Sequence, residues 1–322
     1  GLGVTSDGRP KVIDVIDCTG SGDVKMTESK PSTEEGVIVG VGGKKLTLNK
    51  GWKNPSGKWN VGMKRVFELY PSSLKKRVES ERKKEWDKLH KAAQLKLQKA
   101  LAGKSDKPEA DSDEALALAE LERMEKNTTD PGPVLDCVTW FDGEHWQAAV
   151  DTSATGDMSN LESMANYSLS RQFRRFSDVD NFNFCVNIFD EGSILSIVVD
   201  SGAHGTHVAG ICAAFYPDGS GGNGVAPGAQ IVSLKIGDSR LGSMETGVGL
   251  VRALTEAVNR GCHVINMSFG EAAAWDDTGR IVELAAEIVR EHNICFIGSA
   301  GNNGPAISTV GAPCGTSSAI IS

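Results

Sequence analysis

Two histidines stand three residues apart in Ser201-Gly-Ala-His204-Gly-Thr-His207-Val-Ala-Gly210, a stretch otherwise built of small residues. The pattern around it predicts a strand over 194–199 and a helix over 204–215, so that His204 opens the helix. A histidine in such surroundings suits general base work, because its ordinary pKa lies near neutrality and it can take a proton from a hydroxyl. Ala209 and Gly210 are small enough to let the helix pack closely on a sheet. A buried, hydrogen-bonded core histidine is the other reading of a lone His. His204 and His207 have the spacing to share a metal, but no Glu lies between them in an H-E-x-x-H pattern, and no metal is expected.

A second group with chemical potential is Ile297-Gly-Ser-Ala-Gly301-Asn302-Asn303-Gly304-Pro305, directly after a strand predicted over 294–300. An amide held at a strand end among glycines can aim its NH2 at a developing oxyanion. Asparagine in a glycine-rich turn also serves simply as a left-handed turn residue. Between the two groups lies Val264-Ile-Asn-Met-Ser268-Phe269-Gly270-Glu271, a strand running into small residues.

These groups need a frame, and the second half of the chain predicts one. Strands over 229–236, 263–268 and 294–300 alternate with helices over 244–260 and 279–291. The helices are read from shared faces, Val248, Val251, Leu254 and Val258 in one and Ile281, Leu284, Ala285 and Ile288 in the other, with Gly261 as a stop. Such alternation implies right-handed βαβ units and a mostly parallel sheet, with the ligand site beyond the carboxyl ends of its strands. Chemistry is therefore expected just after Ser268 and just after Ala300.

The first half reads differently. Strands are predicted over 11–17, 135–141, 146–150 and 184–189, with a further β-like piece over 36–48, and a Lys/Arg/Glu/Ala-rich stretch over 71–125 predicts a charged helical hairpin divided near Pro108 and the acidic run 109–114. Its Lys/Arg cluster, Lys75 to Lys84, is interleaved with Glu79, Glu81 and Glu85, which favours pairing along a helix face over phosphate binding.

Composition narrows the partners. Hydrophobic residues at 39% and charged residues at 24% are ordinary globular usage, and a net charge of -8 argues against nucleic acid. The seven cysteines are scattered with no C-x-x-C pair, which fits a reducing compartment and neither zinc nor a disulfide framework. No apolar run has membrane-spanning length, and GLGVTSDGRP has no leader pattern, so neither membrane nor secretion is expected. The Asn-x-Ser/Thr triplets at Asn127, Asn166 and Asn266 are read as accidental. Gly219-Ser-Gly221-Gly-Asn-Gly224 spells G-x-G-x-x-G but follows no strand, so no dinucleotide cofactor, and no cofactor of any kind, is expected. A first residue of Gly and a last residue, Ser322, directly after the strand-like run Ala319-Ile320-Ile321 read as a piece of a longer chain.

His204-Gly-Thr-His-Val-Ala-Gly210, the strand ending in Ser268-Phe-Gly270, Ala300-Gly-Asn302-Asn-Gly304 and Asn223-Gly-Val-Ala-Pro-Gly-Ala-Gln230 resemble, in order, the motifs of subtilisin-like serine peptidases. The resemblance implies a subtilisin-like, mostly parallel sheet flanked by helices over 194–322, with 1–193 a large α+β insertion before the catalytic His. It assigns His204 as catalytic base, His207 as structural, Asn302 as oxyanion-hole residue, and Ser268 and Gly270 to the substrate cleft. SDGRPKVIDVIDCTGSGDV, NPSGKWNVG, DPGPVLDCVTWFDGEHW and IGDSRLGSMETG are similar to the tripeptide-releasing branch of that family, whose members carry such an insertion. That branch implies a cytoplasmic exopeptidase acting on peptides with free N-termini, a large homo-oligomer, and a glutamate pair for the substrate ammonium at Glu245 and Glu271. Glu245 also reads as a first-turn acid favoured by the helix dipole.

Two residues imitate the missing triad members. Gly315-Thr-Ser317-Ser-Ala319 looks like the nucleophile motif but follows Asn302 too closely and runs into a predicted strand, so Ser317 is read as a decoy. Val15-Ile-Asp17-Cys-Thr-Gly20 looks like the aspartate motif with one residue too many, so Asp17 is read as non-catalytic. The piece alone is then expected to be inactive. A subtilisin-like endoprotease and a non-catalytic assembly protein on a degenerate peptidase fold are the alternatives.

Overall fold

The computed structural model describes all residues except 32–33, 103–111, 128, 180, 274, 276 and 322. Much of the predicted acidic run and Pro108 lie outside the described residues.

Parallel strands form in two groups. Val12–Asp17 lies beside Ile231–Lys235, in register from Val12 with Ile231 to Asp17 with Lys235. Val264–Met267, Cys295–Gly298 and Ile320–Ile321 form the second group, with Met267 opposite Gly298. Ser268 and Ser299 therefore leave the sheet at the same edge. The crossover helices have clear ends: the Thr246 hydroxyl accepts the Gly249 N–H ahead of Gly247–Asn259, and Asn293 adopts a left-handed φ of 55° after Arg280–His292.

The buried stripe of Gly247–Asn259 is Leu250, Ala253, Leu254 and Ala257, whereas Val248 is 70% exposed. The expected face over Val248, Val251, Leu254 and Val258 is thus rotated about the helix axis and keeps only Leu254 at its buried centre. At about 100° per residue Val248 points away from the Leu250/Ala253/Ala257 side. In Arg280–His292 the expected face holds, with Ala285 and Ile288 buried and Ile281 and Leu284 packed at its margin.

Two antiparallel sheets make up most of the first half. One orders Met164–Ala165, Trp146–Val150, Val134–Phe141, Asn60–Arg65 and Thr27–Glu28; the other orders Arg174–Arg175, Asn183–Phe189, Ile194–Val199 and Asp23–Lys25. They share one apolar core that includes Leu69, Leu135, Phe184, Val186, Leu195 and Ile197. A second core lies around Trp140, whose ring stacks 4.4 Å from Trp52 and whose indole N–H donates to the Lys53 carbonyl at 2.9 Å. The β-like piece over 36–48 is a hairpin, Val37–Val39 against Lys45–Thr47, with Gly40 to Gly43 turning the chain.

Three strand pairings cross the line drawn at residue 193: Val12–Asp17 pairs with Ile231–Lys235, and Ile194–Val199 pairs with both Asn183–Phe189 and Asp23–Lys25. Gly22 makes this junction possible, since a β-carbon there would sit 2.0 Å from the Ile197 carbonyl oxygen. Asn187, buried, ties the neighbouring strands Asn183–Phe189 and Val12–Asp17 by donating to the Val15 carbonyl at 2.7 Å.

The charged hairpin consists of Ser72–Ala102 and Asp113–Asn127. Leu74 and Val78 root it in the first core, and the pairs Lys75–Glu79, Arg77–Glu81 and Lys83–Asp87 run along one helix as its sequence implied.

Candidate active site

His204 opens the helix His204–Ala213 and is exposed, as is His207. The expected close packing at Gly210 is absent, for a β-carbon there would meet nothing within 4 Å. The tight contact comes from Gly224, where a β-carbon would lie 2.5 Å from the Ala213 nitrogen. Here the turn 223–230 does the work of a C-terminal cap. Gly224, Val225 and Ala226 donate their N–H groups to the carbonyls of Ala214, Ile211 and Cys212 at 2.8, 3.1 and 2.8 Å, satisfying acceptors that a helix end leaves free. The base candidate is thereby fixed from the far end of its helix while its own ring stays open.

Asn302 follows Cys295–Gly298 in an exposed loop. Gly301 takes the left-handed backbone, with φ 87°, and Asn302 does not have a positive φ. The turn-residue reading therefore belongs to Gly301, which leaves the Asn302 amide free of that duty. No described residue bonds to that amide, so its donors remain available.

Glu245 and Glu271 come from different elements, one just before Gly247–Asn259 and the other four residues beyond the end of Val264–Met267. The two carboxyls nevertheless lie near enough to act on one another: burial first, and then the neighbouring Glu271 carboxyl, hold the Glu245 carboxyl above its ordinary range. Glu245 is half-buried and Glu271 exposed, and two such neighbouring carboxyls suit one cation. Glu271 is held by a two-bond bridge, its N–H donating to the Ala312 carbonyl at 2.9 Å and its own carbonyl accepting from the Ala312 N–H at 2.8 Å. Gly311 lies so close that a β-carbon would sit 2.0 Å from the Glu271 oxygen. Ser268 and Gly270, both exposed, lie on the same segment, and the Ser268 hydroxyl accepts from the Asn266 amide at 3.0 Å.

The two imitators are engaged elsewhere. Asp17 has a fully buried carboxylate that accepts from Thr19 N–H and hydroxyl at 2.8 and 2.6 Å, from the Ser21 hydroxyl at 2.9 Å and from Gly22 N–H at 3.0 Å. Asp151 ends another strand and organises an identically spelled D-x-[ST]-x-[ST]-G-D loop, accepting from Ser153 N–H and hydroxyl and from Gly156 N–H. Asp17 is thus a turn hub of a kind the chain uses twice. Ser317 donates its N–H and hydroxyl to Asp277 at 2.8 and 3.3 Å and leads into Ile320–Ile321, which pairs with Cys295–Gly298.

Sequence reasoning missed Asp238. It is buried, its carboxylate is held by Arg240 at 2.6 Å, and its backbone closes the loop 238–244 through bonds to Met244 and Ser243. The spelling Asp238-Ser-Arg240, an acid two residues before a backbone N–H it can accept, was the available signal.

Known proteins with the same parts fall in one family. The model of the Subtilase family matches residues 80–321. Tripeptidyl-peptidase 2 of Oryza sativa subsp. japonica is 49% identical over 100% of this chain and 25% of its own length. That of Caenorhabditis elegans is 41% identical over 100% and 24%. The crystal structure of Tripeptidyl Peptidase 2 (TPP II) matches with a TM-score of 0.71 at 31% identity, covering 97% of this chain and 26% of that one. The chain spans about a quarter of the length of these relatives. The subtilisin-like fold inferred from the motifs is therefore the one observed. With its helix-opening histidine, its asparagine beyond a parallel strand and a family match over 80–321, this chain belongs to the subtilase family of serine peptidases.

Proposed function

We propose that the parent of this chain is an exopeptidase that releases tripeptides from peptides with free N-termini. The observation that carries this reading is the convergence of Glu245 and Glu271, which leave separate elements on the carboxyl-end side of the parallel strands and whose charges act on one another. A cationic amine drawn into a cleft needs carboxylate partners, and their separation from the nucleophile counts off the residues removed. The name tripeptidyl-peptidase carried by the relatives agrees with that count.

In this reading His204 accepts the proton of a serine hydroxyl as that oxygen attacks the third peptide carbonyl, and later returns it to the leaving amine. Asn302 donates to the oxyanion formed in between. Ser268 and Gly270 line the path of the extended substrate backbone. Asp17 and Ser317 are otherwise engaged, so the serine and the aspartate come from elsewhere in the parent, and the 322 residues alone are inactive. The sheet supports that view. One helix, Gly247–Asn259, packs Ala253 on Ile16 and Cys18 and packs Leu250 and Leu254 on Met267 and Phe296, yet among the described residues Ile231–Lys235 and Val264–Met267 do not pair. Ser233 and Val264 on these strands are exposed. A further strand entering between them would unite the sheet.

The scattered free cysteines fit a cytoplasmic enzyme, and burial pushes the Cys18 thiol up to about 12, where it stays protonated at neutral pH. Assembly into a large homo-oligomer is part of the same proposal, carried by the resemblance alone.

The direct test is to digest a free-amine peptide with the full-length protein and identify the products by mass. Tripeptides and a serine-directed fluorophosphonate label outside residues 1–322 are expected, and internal cleavage or a label on Ser317 would overturn the reading. In the same enzyme Asn302→Ala should lower kcat about a hundred- to a thousandfold with KM little changed, the size known for loss of one such donor. Steady-state kinetics on one peptide decides it, since a KM effect alone would make Asn302 a binding residue.

A further inference from the structure

The proposed amine anchor and general base stand on different segments, so a fixed separation between them needs a tie. Glu245 leaves the loop 238–244, while His204 follows the strand Ile194–Val199. The loop is closed on itself: Asp238 N–H donates to the Met244 carbonyl at 2.9 Å, and the N–H groups of Leu241 and Ser243 donate to the Asp238 carbonyl at 3.0 and 2.8 Å. Arg240 grips the buried Asp238 carboxylate, and the half-buried Lys235 ammonium donates to the Ser239 hydroxyl at 3.1 Å. Beyond the loop, Thr246 caps the next helix. Glu245 is therefore held on both sides by a rigid backbone.

One side chain ties this unit to the histidine segment. The Ser243 hydroxyl donates to the Ser201 carbonyl at 2.8 Å, three residues before His204. Gly237 lies against the same place, since a β-carbon there would be 2.8 Å from the Ser201 hydroxyl and 3.1 Å from the Ser243 carbonyl oxygen. Ser243 adopts φ 70°, a left-handed backbone that a non-glycine residue takes at a cost of about 1 kcal/mol or more. A glycine would relieve that strain but would lose the hydroxyl. The strained position is occupied by a residue able to reach Ser201.

We infer that Ser243 is a positioning residue that fixes the span between Glu245 and His204, and through it the number of residues removed per turnover. The inference rests on the proposed role of Glu245 and Glu271. It adds a prediction of its own: loosening the tie should blur the product length before it harms the chemistry.

The test compares Ser243→Gly, which keeps the left-handed backbone and loses the donor, with Ser243→Asn, which tolerates that backbone and offers an amide donor. In the full-length enzyme S243G should raise KM for free-amine peptides about three- to tenfold, the range for one lost hydrogen bond, with a smaller change in kcat. Dipeptides or tetrapeptides should appear beside tripeptides, and S243N should restore single-length products. A merely structural serine would alter thermal stability and leave product length untouched. If the wild type releases tripeptides while S243G keeps its KM and its product length, the positioning role is wrong. If the wild type itself does not release tripeptides, the glutamate reading fails first and this inference with it.

Discussion

His204→Ala in the full-length enzyme is expected to remove about a millionfold of kcat, leaving only what the oxyanion donors and substrate binding supply. The structural reasons are specific. The side chain is exposed at a helix start, so its loss opens no core cavity, and the helix is anchored from its other end by the turn 223–230. The variant should therefore fold and bind. A calorimetric titration with an uncleaved free-amine peptide should give an affinity close to that of the wild type. Turnover that survives the substitution would show that another group takes the proton, and the whole assignment from 204 to 302 would need rebuilding.

The parts of the site that were legible in the sequence are those set by local backbone rules. A strand that ends in glycines must turn, and small residues at a helix start leave a side chain open, so the exposed placement of His204 and Asn302 follows from local pattern, whereas the roles proposed for them come from the resemblance to the subtilisin-like motifs. Which residue of a glycine-rich turn bears the left-handed backbone was not visible, and it fell to Gly301. The helix stripe through Val248 was misread because Leu254 belongs to both candidate faces, and only packing on Ile16, Cys18 and Met267 selects between them. Long-range pairing was hidden for a similar reason. Nothing in Val12–Asp17 announces that its partner lies more than two hundred residues away at Ile231–Lys235, since a β-branched alternating strand suits many neighbours. The loop that carries Glu245 was the least legible element. Its shape depends on a buried carboxylate at Asp238 and a contact across to Ser201, neither of which has a periodic signature.

The second large effect concerns the carboxyl pair. Glu→Gln at either Glu245 or Glu271 should weaken binding of free-amine substrates by about 2 to 5 kcal/mol, the range for removing one partner of a charge pair that the bound substrate itself buries. N-terminally acetylated peptides carry no charge there and should already be poor for the wild type. The informative quantity is the ratio of kcat/KM for a free-amine peptide to that of its acetylated twin, because general damage to the site lowers both and cancels. That ratio should collapse in each variant. The two substitutions should differ in pH dependence. Burial, then the neighbouring Glu271 carboxyl, raise the Glu245 carboxyl, and an acid whose pKa is raised loses its charge early as pH falls. Free-amine binding by the wild type should therefore fail on the acidic side sooner than for an ordinary carboxylate. Glu271→Gln removes the repulsion and should move that acid limb to lower pH, while the desolvation of Glu245 keeps part of the shift. On the alkaline side the limit is the substrate, whose α-amine loses its proton near pH 8 in every variant. If the ratio and the acid limb are the same in wild type and both variants, these glutamates serve only the helix terminus and solvent, and a subtilisin-like endoprotease becomes the better description of the parent.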